Sequence, residues 1–354
     1  MKLLVLRGDG IGPEIVSAAL VATEALNRKL DLGLTYEDAD FGLASIEKNG
    51  DAVPQETLDK ARASDGIICG PHDSVAYPPP HDQVVTPAGR LRKAFDLYAN
   101  IRPARIRPGV PAHVDKMDLV VCRENTEGFY ADRSMFAGNG EFMPTPDMAL
   151  SIRKITREGS ARIAETAFQL ARQRRCKVTV MHKGNVLTLT DGLFRETAFD
   201  VATRYPDVTV DDVLADALFA LAVRRPQDFD VILTTNLYGD FLSDLTAELA
   251  GGLGVGGSIN AGTDVCAAQA AHGSAPDIMG QNVANPAAMI LSVAMLLDWL
   301  GGRHERADLK EAALCLDAAL DAQLADAAGR TRDLGGSLAT DAFAEALAER
   351  IAQT

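Results

Sequence analysis

Six short runs along this chain, KLLVL (2–6), LTYEDAD (34–40), GIICG (66–70), DLVVCREN (118–125), KVTVMHKGN (177–185) and FDVILTTN (229–236), read as strands. Between the first three lie EIVSAALVATEALNRK (14–29), with Pro13 at its start, and ETLDKARAS (56–64), both with helical periodicity. Alternation of this kind demands a parallel sheet with helices on its faces, and so an α/β class. Ligand chemistry in such sheets gathers at the carboxyl ends of the strands, which here are the polar stretches CREN, HKGN and TTN. AYPPPHDQVVTPAG (76–89) reads as a loop ahead of a helix, RLRKAFDLYANI, and beyond about residue 252 the pattern returns to long Ala- and Leu-rich helices.

At 354 residues and 47% hydrophobic, the chain is long enough for two domains. Its formal charge of -14 argues against nucleic acid or an anionic membrane surface as partner, so an anionic ligand needs its own local cations. Five cysteines without CxxC spacing fit reduced thiols, with no disulfide and no zinc site expected. The run before Arg7 is too short for a signal peptide, and MILSVAMLL (289–297) is too short to cross a bilayer. A soluble, cytoplasmic protein is expected.

GLGVGG (252–257) matches the dinucleotide fingerprint in letters only, because it follows a helical segment where the fingerprint needs a strand. TTNLYGDFLSDL (234–245) poses a sharper question. A helix starting near Gly239 would set Asp240 and Asp244 one turn apart on one face, where two like charges repel unless a cation lies between them. Placement of Asp240 at a helix start, with Asp244 solvated, is the plainer alternative. Asp216, in VLADALFALAV, stands among apolar residues and would need a metal or another cation if buried. Three such acids would suit magnesium or manganese better than zinc.

Arg90, Arg92, Lys93, Arg102, Arg105 and Arg107 cluster ahead of Arg123, a concentration of guanidinium groups suited to a small polyanion or simply to a solvated basic face. Tyr130 ends RENTEGFY, and Lys183 follows KVTVMH. A strand-end lysine is either a solvated cation or, if burial lowers its pKa, a proton carrier. HGSAPDIMGQNVANP (272–286) is a surface turn or a nucleotide loop in which Asp277 accepts from ribose hydroxyls.

Together GDGIGPE, LRKAFDLYANIRP, VVCRENTEGFY, HKGNVL, FDVILTTNLYGDFLSDL and HGSAPDIMGQNVANP resemble the β-decarboxylating dehydrogenases: isocitrate, isopropylmalate, homoisocitrate and tartrate/D-malate dehydrogenases. The resemblance implies an isopropylmalate dehydrogenase-like, doubly wound sheet without the standard Rossmann nucleotide site. Its cofactor-binding domain would comprise 1–98 and 252–354, and a middle domain, 99–251, would carry the dimer interface. It implies oxidative decarboxylation of a malate-type 2-hydroxy acid with NAD and Mg²⁺ or Mn²⁺.

By resemblance, Arg92, Arg102 and Arg123 clamp substrate carboxylates, Thr86 and Ala88 face the substrate, and Asp216, Asp240 and Asp244 hold the metal. Lys183 accepts the hydroxyl proton and Tyr130 protonates the product enol. His272, Gly273, Ser274, Ala275, Asp277 and Asn285 take the cofactor, and a carboxylate at 277 favours NAD over NADP. A homodimer with shared sites follows, Lys183 and Asp216 reaching the neighbouring copy.

Some positions depart from the pattern. Gly89 and Ala88, three and four positions before Arg92, match no member's substrate pocket, and Arg90 points to the other side of the helix. Gln269 replaces the usual glutamate three residues before His272. Alternatives are a tartrate/D-malate dehydrogenase within the family and a non-catalytic subunit of the same fold. The second would be expected to lose part of the set Lys183, Tyr130 and the three aspartates, all of which are present. No P-loop occurs, which weighs against a phosphotransferase.

Overall fold

The structure, a computed structural model, describes residues 1–79 and 85–353, so residues 80–84 of the proline-rich loop lie outside the described residues. The chain divides into two compact units. One comprises Met1–Ala94, Arg107–Ala112 and Gly251–Thr354, and the other Phe95–Ile106 and His113–Ala250.

In the first unit β1 (Lys2–Leu6) is an interior strand, and Leu3, Leu4, Val5 and Leu6 have no exposed surface. Such a run needs cover on both faces, as a parallel sheet provides. α1 (Gly12–Leu30) opens with Pro13 and Glu14 in its first turn and closes with Arg28 and Lys29 in its last, charges that suit the helix dipole. β2 (Thr35–Asp38), α2 (Leu43–Asn49), α3 (Gln55–Arg62), β3 (Gly66–Cys69) and α4 (Pro87–Ala94) follow.

The second unit holds β4 (Ala99–Arg105), β5 (Asp118–Glu124), the hairpin β6 (Glu141–Thr145) and β7 (Met148–Ser151), then α5 (Arg157–Arg172), β8 (Lys177–His182), α6 (Thr190–Ala202), β9 (Thr209–Leu214), α7 (Ala215–Arg224), β10 (Val231–Thr234) and α8 (Asn236–Ala250). Its strands lie in the order β4-β5-β10-β8-β9, parallel except for β4. α8 packs on β4 and β5, with Val121, Met181, Leu218, Ile232 and Leu242 in the core.

The chain then returns to the first unit with β11 (Ile259–Ala261), β12 (Cys266–Ala268), α9 (Ala287–Arg303), α10 (Ala307–Ala325) and α11 (Thr340–Gln353). Strand order there is β2-β1-β3-β12-β11, and α1 packs against α9 and α11. The α/β class with mostly parallel strands read from the sequence is the architecture observed.

Two local expectations fail. The helix expected to run through DLYANI stops at Ala94, Asp96 turns to a φ of 46°, and Ala99 opens β4. β4 pairs with β5 residue by residue from Ala99 opposite Glu124 to Arg105 opposite Asp118, and that ladder overrides local helical preference. α8 starts at Asn236 rather than near Gly239. GLGVGG forms a single 3-10 turn, Leu253–Val255, preceded by α8 and not by a strand.

Candidate active site

β5 and β10 are neighbours in register, with Thr234 opposite Arg123, so Arg123 ends its strand beside the start of α8. Its side chain is only 2% exposed. Nε and Nη2 donate to Asn236 Oδ1 at 3.0 and 2.6 Å, and Nη1 donates to Asp240 at 2.5 Å. The stem passes so close to α8 that a Cβ on Gly239 would lie 2.6 Å from Arg123 Cγ. Arg102, projecting from β4, donates through Nη1 to Asp244 at 2.9 Å and to Ser243 Oγ at 2.8 Å, and lies 3.5 Å from Asp240.

Asp240 and Asp244 are thus one turn apart on α8, as their spacing implies, and the positive charge between them in this chain belongs to two arginines. Neither acid marks the helix start, since the first turn of α8 carries none. Burial pushes the Asp244 carboxyl up from its ordinary value and Asp240 adds to this, while Arg102 opposes it. Asn236 also donates from Nδ2 to the carbonyl of Glu127 at 3.2 Å, tying the arginine to the loop that leads to Tyr130.

That loop is held by buried carboxylates. Glu124 accepts from the amide and hydroxyl of Thr126 and the amide of Glu127, yet burial still raises its pKa. Glu127 accepts from the amide and hydroxyl of Thr156 at 2.9 and 2.6 Å, and Thr156 caps α5 through Gly159. Tyr130 opens a short 3-10 turn, Ala131–Ser134.

Lys183 follows β8 and donates to Asp216 at 2.5 Å. Asp216 sits in the first turn of α7 with its side chain 68% exposed, so it is not stranded among the apolar residues around it in sequence. Lys183 holds that carboxyl below its ordinary range. Among the described residues no three His, Cys, Asp or Glu side chains form a metal-ready group, and Asp216 stands apart from Asp240 and Asp244.

In the first unit, the 272–286 loop is built into its surroundings. The amide of Ile11 donates to Ser274 O at 2.8 Å. Gly10, at a φ of +57°, lies where a Cβ would come within 2.0 Å of that oxygen, so only glycine fits. His272 Nδ1 donates to Gly273 O at 2.9 Å, and burial lowers its pKa. Ala275 has a φ of 39°, and Asp277 is exposed in the turn Pro276–Ile278. Asn285 donates to Asp333 at 2.9 Å and accepts from the amide of Ala287. Gln269 accepts from Asn260 at 3.3 Å.

Ala88 is buried on α4, while the Thr86 hydroxyl accepts from the amide of Gly89 at 3.2 Å and so belongs to the helix start. Arg92 lies on α4, in the first unit. The basic cluster seen in sequence is divided. Arg90 pairs with Asp51, Arg107 with Asp317 and Asp321, and Arg102 lies beside the acids that Arg123 also holds.

The family model for isocitrate/isopropylmalate dehydrogenase matches residues 2–349. The chain belongs to the isocitrate/isopropylmalate dehydrogenase family. It is 41% identical over 352 residues to 3-isopropylmalate dehydrogenase of Methanothermobacter thermautotrophicus, covering 99% of this chain and 98% of the relative. It is 40% identical over 351 residues to the isocitrate/homoisocitrate dehydrogenase of Thermus thermophilus, with 99% and 98% covered. The crystal structure of isocitrate dehydrogenase from Methylococcus capsulatus superposes with a TM-score of 0.89 at 40% identity, over 99% of both chains. The family is one of hydroxyacid dehydrogenases acting on CH–OH groups.

Sequence reasoning passed over Asn236, Arg153 and Asp191, each a single polar residue with no spacing signal. Asn236 does carry one hint, as the lone amide between a buried strand and an amphipathic helix.

Proposed function

We propose that this chain is an NAD-dependent, divalent-metal-dependent dehydrogenase that oxidises and decarboxylates a malate-type 2-hydroxy acid. The observation that carries this reading is the four-charge cluster of Arg102, Arg123, Asp240 and Asp244 at one end of β5 and the start of α8. Guanidinium groups in such a cluster bind carboxylates bidentately, and the two aspartates offer hard oxygens one turn apart. These oxygens fit Mg²⁺ or Mn²⁺, with Asp216 supplied by a second copy, because within one chain Asp216 stands apart from Asp240 and Asp244. A bound divalent ion would supply Lewis-acid polarisation of the substrate's 2-oxygen, and NAD the hydride acceptor.

In this reading Arg102, Arg123 and Arg92 hold the substrate's carboxylates. Lys183 Nζ of the second copy takes the hydroxyl proton as hydride leaves C2, and Tyr130 Oη returns a proton to C3 after CO₂ departs. His272, Gly273, Ser274, Ala275 and Asn285 form the cofactor loop, and Asp277 selects NAD by accepting from the ribose diol while repelling a 2′-phosphate. Thr86 and Ala88 border the substituent on C3. Gly89 and Ala88 offer nothing larger than a methyl there, and Arg90 is engaged with Asp51, so these three residues supply neither an apolar wall nor a cation.

A homodimer is supported by the hairpin β6–β7. Every residue of both strands is exposed, including Phe142, Met143, Met148 and Leu150. Val186 and Leu189, near Lys183, are 67% and 84% exposed. Apolar surface of this extent marks an interaction site. A cytoplasmic location completes the reading; no helix among the described residues is long and apolar enough to cross a membrane.

The test is NADH formation from NAD with Mn²⁺ across isocitrate, isopropylmalate, homoisocitrate, D-malate and tartrate, with an EDTA control. An EDTA-sensitive signal on one acid supports the reading and identifies the substrate. Silence on all five, with no shift in melting temperature on adding Mn²⁺ and NAD, would overturn it.

A further inference from the structure

Outside the four-charge cluster, one guanidinium touches three of the segments that carry the proposed chemistry. Arg153 lies between β7 and α5 and is largely buried, and its Nη1 pairs with Asp191, which has no exposed surface. The same Nη1 donates to Thr190 Oγ1 at 2.9 Å, and Nη2 donates to Thr235 Oγ1 at 3.1 Å. The guanidinium carbon lies 5.7 Å from the ring centre of Phe129 and 5.4 Å from that of Tyr238. Both distances are within cation–π range.

Each partner leads to a residue in the proposed mechanism. The second oxygen of Asp191 accepts the backbone amide of Lys183 at 2.6 Å. Phe129 precedes Tyr130. Lys154, next to Arg153, forms a two-way backbone bridge with Gly128, at 2.8 and 3.0 Å. Thr235 and Tyr238 bracket the first turn of α8, ahead of Asp240.

We propose that Arg153, with Asp191, is a positioning residue that fixes the Lys183 backbone, the Tyr130 loop and the first turn of α8 in one geometry. The inference rests on the roles given above to Lys183 and Tyr130. A buried ion pair is costly to desolvate and is replaceable by apolar side chains of similar volume when it serves stability alone. This pair differs in that its hydrogen bonds end on the amide of Lys183 and the hydroxyls of Thr190 and Thr235, which apolar replacements cannot reproduce.

The decisive protein is the double variant Arg153→Met/Asp191→Leu, which removes both charges and leaves neither unpaired. It is expected to fold, with a melting temperature near that of the parent, but to lose about 100-fold in kcat, the scale of a misplacement near 1 Å, with KM changed less than threefold. Arg153→Lys keeps the charge without the planar fork and is expected to lose roughly tenfold in kcat at unchanged melting temperature. A double variant that fails to fold assigns the pair to the fold alone, and one with full kcat shows that it positions nothing; either overturns the proposal, as does an unimpaired Arg153→Lys. Lys183→Met serves as the separate control. If it stays active, the underlying reading of Lys183 falls; if it is dead while the Arg153 variants turn over normally, only the positioning role falls.

Discussion

Replacement of Gly239 by alanine tests whether the stem of Arg123 is held by shape as well as by charge. A Cβ there would lie 2.6 Å from Arg123 Cγ, 2.7 Å from its Cβ and 3.1 Å from Thr234 Cγ2. The crowded atoms lie at the root of the arginine side chain, which cannot swing away as a flexible tip would, so the guanidinium must leave its place against Asn236 and Asp240. Overpacking of this kind costs about 1–3 kcal/mol, and the gain in helix propensity from Gly to Ala returns about 1 kcal/mol. The net loss of stability is therefore at most about 2 kcal/mol, or about 3 °C in Tm for a chain of this size. Binding suffers more. Losing one charge-assisted hydrogen bond to a substrate carboxylate costs about 1.5–3 kcal/mol, which corresponds to a rise in KM of roughly 10–150-fold. Initial rates of NADH formation on the best acid of the panel, with differential scanning calorimetry alongside, give both numbers. A variant with parental KM and Tm would refute the packing argument. A variant with parental KM and lowered Tm would show that Arg123 is displaced without consequence and does not hold substrate.

Arg107→Ala removes the shared partner of Asp317 and Asp321 on α10; because both acids keep some solvent contact, the expected loss is discounted to about 2 kcal/mol from the larger cost of breaking a buried pair. Denaturant midpoints check it, and an unchanged midpoint would remove the ion pair from the account of stability. Burial lowers the pKa of His272, so as pH falls through about 6.5 the unfolded chain takes up a proton that the folded one refuses, and stability drops. His272→Gln, compared with the parent at about pH 7.5 and about pH 5.5, should therefore lose less stability on acidification; equal losses would contradict the assigned direction. Asp277→Lys should move the ratio of NAD to NADP use at least about tenfold toward NADP by replacing a repulsive contact with an attractive one. An unchanged ratio would place the ribose elsewhere.

Much of the fold was legible because buried strands leave a mark that no surface segment imitates: GIICG and FDVILTTN have no competing reading. β4 was not legible. DLYANI suits a helix locally, and the extended form of Ala99–Arg105 is specified by β5, a partner that no local pattern names. At the site, Arg123, Asp240 and Asp244 were visible as charges in apolar company. The cation actually beside those acids was not, because Arg102 and Asp244 are 142 residues apart in sequence and meet only when α8 packs over β4. Asn236 and Arg153 were invisible for the same reason: an isolated amide or guanidinium reveals its purpose only through partners 113 and 38 residues away.

The first unit is made from both ends of the chain, and this sets a timetable for its synthesis. Ile15, Val16 and Leu26 of α1 are wholly covered in the folded chain, and Lys29 on the same helix donates to the carbonyl of Ile351 near the last turn of α11. At roughly 5–20 residues added per second, the ribosome leaves α1 waiting on the order of tens of seconds for that helix. The second unit's residues emerge entirely within that wait and can close their own core first. α1 thus packs against α9 and α10 before α11, and lacks the cover of α11 until Thr340–Gln353 has been made. The arrival of α11 decides when the apolar face of α1 ceases to be a substrate for chaperones and proteases.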